Sequence, residues 1–117
     1  MPNRTVLDAK RLGIYSCRTD DTLEEVARRI AEEDISGMVV VDDQGYLAGV
    51  ITRIDLLRAY VNSSDWREEL VSVFMSPQVI TVHPETRLIE VAHMLLQHHV
   101  HRVVVVREDG AKLRPIG

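Results

Sequence analysis

Residues Val26 to Gly45 read VARRIAEEDISGMVVVDDQG, and residues Val91 to Gly110 read VAHMLLQHHVHRVVVVREDG. Set 65 positions apart, the two stretches share Val26-Ala27 with Val91-Ala92, Val39-Val40-Val41 with Val104-Val105-Val106, and Gly45 with Gly110. Ile30 against Leu95, Ile35 against Val100, Met38 against Val103 and Asp43 against Glu108 keep the character of the side chain. One unit written twice is therefore the primary fact about this chain, and it constrains every later reading because both copies should fold alike.

Working outward, each copy shows the same order of local signals. In the first, Leu23, Val26, Ala27, Ile30 and Ala31 have the spacing of one apolar helix face, and Thr22 with Glu25 three residues on has the pattern of a capping box. Met38 to Val41 reads as a buried β-branched strand, Asp42-Asp43-Gln44-Gly45 as a turn, and Tyr46 to Ile51 as the hairpin partner. A second helix is predicted from about Arg53 to Val61. The second copy supplies a short strand at Val79 to Val82, a helix carrying Leu88, Val91, Ala92, Leu95 and Leu96, and a strand at Val103 to Val106. Between the copies, Ser63-Ser64-Asp65 is expected to cap a connecting helix through about Phe74.

The fold class is thus α/β (α+β), tandem repeats of β-α-β-β-α form: a first repeat over 1–62, a connecting helix over 63–74, and a second repeat over 75–117. Units of fewer than about 60 residues bury too little for a comfortable core of their own, so the two are expected to pack about a pseudo-twofold axis as one module with a ligand-sized groove between them. The same arithmetic leaves apolar helix faces uncovered, which points to a homodimer.

Composition removes several function classes. The 18 acidic residues outnumber the 14 Lys plus Arg, for a net charge of -4, which is the wrong sign for a nucleic-acid partner. The apolar runs Gly37 to Val41 and Val103 to Val106 are strand-sized, far short of the roughly 20 residues of a membrane span. The N-terminus lacks the apolar stretch of a secretory signal, and the single Cys17 excludes an internal disulfide and suits a reducing cytoplasm, the expected location.

The segment richest in chemistry is Gly49-Val50-Ile51-Thr52-Arg53-Ile54-Asp55, where a strand runs directly into a helix. Thr52 stands at a helix N-terminus, whose free N–H groups and dipole favour a phosphate, and Asp55 one turn on offers two acceptor oxygens suited to paired sugar hydroxyls. The same four residues also spell a helix cap, as Thr22 to Glu25 do. Spacing alone favours the cap and leaves the phosphate reading open. His98-His99-Val100-His101-Arg102 invites a metal reading, but a solvated helix end is the ordinary use of such a cluster, and no metal is expected. Cys17 reads as a small buried side chain and Trp66 as packing on its own domain. No nucleophile-base pair, paired-carboxylate cleft or glycine-rich phosphate loop can be assembled, so no catalytic residue is assigned.

The string GVITRID, preceded by ISGMVVVDDQG and duplicated with HVHRVVVVREDG, resembles the CBS domain family, named after cystathionine β-synthase, from about Arg11 to Gly117. The resemblance implies a regulatory module that binds an adenosine ligand such as AMP, ADP, ATP or S-adenosylmethionine, requires no resident cofactor and catalyses nothing. It implies that Thr52 contacts phosphate and Asp55 ribose. The pattern Val100-His101-Arg102 further resembles the gamma subunits of AMP-activated protein kinase, which implies that His101 and Arg102 face that phosphate across the groove, that Val50, Val79 and Ile80 line the adenine pocket, and that Val100 and Val104 lie nearby. The sequence departs from the family pattern at Val39 and Val104, commonly Pro, and at Ser36, often Arg or His. Gly117 corresponds to Gly49, although Ala111 to Ile116 is three residues longer than Tyr46 to Ala48, which leaves the register at the end open. The second repeat therefore has no counterpart of Thr52 and Asp55, and at most one complete site is encoded. The competing readings are a structural dimerisation module without ligand and, last, a metal-dependent enzyme.

Overall fold

The computed structural model describes residues 4–6, 15–100 and 102–117. The chain divides into two compact units, one over residues 15–78 and one over residues 79–117 together with residues 4–6 of the N-terminal segment. Residues 4–6, which the sequence groups with the first repeat, pack in the structure with the second unit. The Val6 N–H donates to the Thr86 carbonyl and the Leu88 N–H to the Arg4 carbonyl, both at 2.9 Å, and Val6 is buried against Val82 and Val105.

The first unit runs β1 (Ser16–Arg18), α1 (Leu23–Glu33), β2 (Gly37–Val41), β3 (Leu47–Thr52) and α2 (Arg53–Asn62), then a 3-10 turn (Trp66–Glu68) and a single helical turn, α3 (Val71–Phe74). Its sheet has the order β1-β2-β3, with β1 parallel and β3 antiparallel to the central β2. The parallel pair needs a crossover, which α1 provides, while the Asp42 carboxylate closes the antiparallel hairpin by accepting from the Gln44 and Tyr46 N–H groups. Met38, Val39 and Val40 are all buried, as expected of a central strand covered on both faces. The core joins Cys17, Leu23, Val26, Ile30, Met38, Val40, Ile51, Ala59 and Val71. Thr22 caps α1 by accepting from the Glu25 N–H at 3.3 Å, but the reciprocal arm of the expected capping box is missing because the Glu25 carboxylate is taken by Arg28.

The second unit runs β4 (Thr81–Val82), α4 (Leu88–His98), β5 (Val104–Asp109) and β6 (Lys112–Pro115), with the order β4-β5-β6. Shifting α1 by 65 reproduces α4 residue for residue, and both helices end on a left-handed residue, Asp34 at φ 51° and His99 at φ 55°. The Val39 N–H donates to the Tyr15 carbonyl and, 65 residues on, the Val104 N–H to the Ile80 carbonyl. Beyond the hairpin the register moves by three: Val40 pairs with Gly49, whereas the Val105 N–H donates to the Gly117 carbonyl. Gly117 therefore stands where Gly49 does, and the three extra residues are taken up in the second hairpin.

Two expectations are corrected. The connecting helix through Phe74 does not form as one helix, because the backbone between its two short turns is spent elsewhere. Leu70 bridges Thr22, the Leu23 N–H donates to the Glu69 carbonyl, and the Val71 and Ser72 N–H groups donate to the Asp21 and Thr19 carbonyls. Asp65 makes no side-chain cap, and Ser63 ends α2 instead. The strand expected over Val79 to Val82 is confined to Thr81–Val82.

Candidate functional site

The strand-to-helix junction at Thr52 is fixed from both sides. Upstream, Val50 exchanges two backbone hydrogen bonds with Ser76, at 2.9 and 2.8 Å. This approach is possible because residue 49 is Gly: a Cβ there would lie 2.4 Å from the Ser76 carbonyl oxygen. Downstream, Thr52 and Asp55 form a complete capping box at the head of α2. The Thr52 N–H and hydroxyl both donate to Asp55 Oδ2, at 2.8 and 3.1 Å, and the Asp55 N–H donates to Thr52 Oγ1 at 3.4 Å.

The other Asp55 oxygen is also engaged, accepting from Arg58 Nη1 at 3.1 Å. That pairing satisfies a carboxylate only 7% exposed, the condition under which a buried charge is tolerated. The Arg53 N–H donates to the Ser36 carbonyl at 3.1 Å, while its guanidinium reaches the Ile35 carbonyl at 3.0 Å and Asp34 at 3.5 Å. The free N–H groups expected at this helix terminus are thus largely used: those of Thr52, Arg53 and Asp55 all have partners inside the unit. A phosphate arriving here meets a dipole and a hydroxyl rather than a ring of open donors.

Of the other expected site residues, Val50 is half-buried in β3, in the same unit as Thr52 and Asp55. Val79, Ile80, Val100, Arg102 and Val104 belong to the second unit. There Val79 and Ile80 are half-buried, Val104 is 3% exposed in β5 and tied to the Ile80 carbonyl, Val100 follows the left-handed His99, and Arg102 is exposed. His101 lies outside the described residues. His98 and His99 are exposed at the end of α4, and among the described residues no three His, Cys, Asp or Glu side chains converge as a metal site would require. Sequence reasoning missed Arg58 and Ser76. The three-residue step from Asp55 to Arg58 on one helix face is a signal that could have found the first; Ser76 is brought in by tertiary structure and has no local signal. Among the described residues no helix is long and apolar enough to cross a membrane.

Comparison with known proteins agrees with this architecture. The family model described as "CBS domain" matches residues 5–62 and again 68–117. The inosine-5'-monophosphate dehydrogenase of Nitrosopumilus maritimus is 29% identical over 111 residues, covering 90% of this chain and 22% of the dehydrogenase. The gamma-3 subunit of 5'-AMP-activated protein kinase from Bos taurus is 43% identical over 51 residues, 44% of this chain and 10% of the subunit. The chain thus spans less than a quarter of the length of either relative. Among solved structures, CBSX2 in complex with AMP superposes with a TM-score of 0.79 at 25% identity, covering 95% of this chain and 87% of that one. With two tandem matches that take in nearly all its residues, the chain belongs to the CBS domain family.

Proposed function

We propose that this chain is a regulatory module that binds an adenosine ligand through the Thr52–Asp55 junction and catalyses no reaction, acting in the reducing interior of the cell. The observation that carries the reading is the placement of a hydroxyl and a buried carboxylate together at the positive end of α2, in a chain whose relative CBSX2 is solved with AMP. In this reading the Thr52 hydroxyl turns from Asp55 to a phosphate oxygen, and the Asp55 carboxylate, freed of that donor, accepts from a ribose hydroxyl. AMP, ADP, ATP and S-adenosylmethionine share the ribose and differ in what they place at Thr52, so their rank order identifies the ligand.

One observation favours the second reading, a structural module without ligand: the junction is already a satisfied capping box. Titration calorimetry with the four ligands separates the two. Parent protein should bind one of them, and at 100 times its dissociation constant that ligand should add about 2.7 kcal/mol of stability. Because Thr52→Ala also removes the cap, the deciding variant is Thr52→Ser, which keeps a hydroxyl and should keep binding. Absence of binding by all four ligands to the parent would establish the structural reading instead.

A further inference from the structure

Among the described residues Asp55 is the one charged side chain that is buried, and a helix cap does not require that. The same pattern opens α1, where Thr22, Glu25 and Arg28 hold the positions of Thr52, Asp55 and Arg58. There the Thr22 hydroxyl caps the helix alone, the Glu25 side chain is 42% exposed, and Arg28 is shared between Glu25 and Glu32. That cluster carries a net negative charge. In α2 the position of Glu32 is held by Asn62, whose amide donates to the Arg58 carbonyl. Arg58 is left to Asp55, its Nη1 3.1 Å from Oδ1, and the pair at the head of α2 is neutral.

We infer that Arg58 is a positioning residue of the site proposed above, and that it selects adenosine phosphates over uncharged or cationic adenosines. The inference rests on the ligand reading of Thr52 and Asp55. A phosphate accepting from the Thr52 hydroxyl lies two hydrogen bonds from the Asp55 carboxylate, within about 6 Å, where two anions repel strongly. The Arg58 guanidinium cancels the carboxylate charge at shorter range and keeps its own at any working pH. Arg53 does not serve this purpose, because its guanidinium is turned to the Ile35 carbonyl and Asp34. Nor does Arg58 have to leave when the ligand arrives. An ionised carboxylate has about four acceptor sites; the Thr52 N–H and hydroxyl take two on Oδ2, and Arg58 takes one on Oδ1. Once the hydroxyl turns to phosphate, each oxygen keeps one bond to the protein and has one site to give, which is what two neighbouring ribose hydroxyls need. Arg58 thus acts through Asp55, fixing the plane of the carboxylate and masking its charge.

The test is the ratio of AMP affinity to adenosine affinity, measured by titration calorimetry. Parent protein should prefer AMP. In Arg58→Gln the ratio should fall about tenfold, a modest change because Arg58 is 58% exposed and its charge is screened; in Arg58→Lys, which keeps the charge, it should be retained. Asn62→Glu is the independent variant should Arg58→Gln fail to fold. It changes an exposed residue, rebuilds the carboxylate that Glu32 supplies in α1, and should lower the ratio about threefold by sharing Arg58. A purely structural Arg58 would instead weaken both ligands equally in Arg58→Gln, leaving the ratio where it was. That result, a ratio unmoved by Asn62→Glu, or a ratio lost in Arg58→Lys would overturn the proposal while leaving the ligand reading intact. A parent that binds neither AMP nor adenosine would remove both, and is seen before any variant is compared.

Discussion

Cys17 lies in the core at 3% exposure, and burial, reinforced by Asp21, pushes its thiol from an ordinary 9.0 up to about 12. A thiol that cannot ionise is a poor nucleophile, so alkylating reagents should modify the protein only as fast as it unfolds. The raised value also sets a sign for stability. Between pH 9 and 12 the unfolded chain loses this proton while the folded chain keeps it, so stability falls as pH rises through that window and is unaffected below it. Urea unfolding of the parent and of Cys17→Ala across that range should show the steeper loss in the parent; parallel curves would contradict the assignment. The reading of Cys17 as a small buried side chain was legible in the sequence because no base adjoins it and Arg18 is its only basic neighbour. The state of Asp55 was only half legible. Its spacing from Thr52 announced a cap and its three-residue step to Arg58 carries the signal of the second partner, but the depth at which the carboxylate is buried is something no local pattern records.

Helices with strong periodicity emerged from the sequence almost intact. α1 and α4 begin and end where their apolar spacing does, and each closes on a left-handed residue, Asp34 or His99, whose N–H donates to the carbonyl four residues back, Ile30 or Leu95. An L-residue pays roughly 1–2 kcal/mol for that backbone conformation and glycine almost none, while glycine loses more freedom on folding. The Asp34 ion pair with Arg53 offsets little, being 3.5 Å long with Asp34 97% exposed. Asp34→Gly and, independently, His99→Gly should each stabilise the protein by about 0.5–1 kcal/mol in urea unfolding; a loss of stability at both sites would show that the caps are not the strained positions. The connecting helix fails for a reason outside propensity. Ser63-Ser64-Asp65 followed by charged and apolar residues has an acceptable start signal, but Leu70, Val71 and Ser72 are claimed by the β1–α1 loop, and a backbone N–H donated there is lost to a helix.

At the scale of the molecule the duplication was the most legible feature, and it reappears in the structure down to single hydrogen bonds; what the sequence did not reveal is how unequally the two copies are packed. Leu23, Val26 and Ile30 of α1 are 0%, 0% and 4% exposed, because α2, Trp66 and Val71 close over that side of the first unit. Their counterparts on α4, Leu88, Val91 and Leu95, are all only half-buried, since no element of the described second unit corresponds to α2. Among the described residues ten buried apolar side chains lie in the first unit and five in the second. Local opening follows such differences, because a unit with fewer buried contacts unfolds at lower cost than the whole. The equivalent amides of Val39 and Val104 form equivalent hydrogen bonds, to Tyr15 and Ile80, so they report the two units without differences in local geometry. Native-state hydrogen exchange should find Val104 exchanging about tenfold faster or more, a difference of about 1.4 kcal/mol in opening free energy. Equal rates would mean that the two units open only together and that the thinner core is compensated elsewhere in the chain.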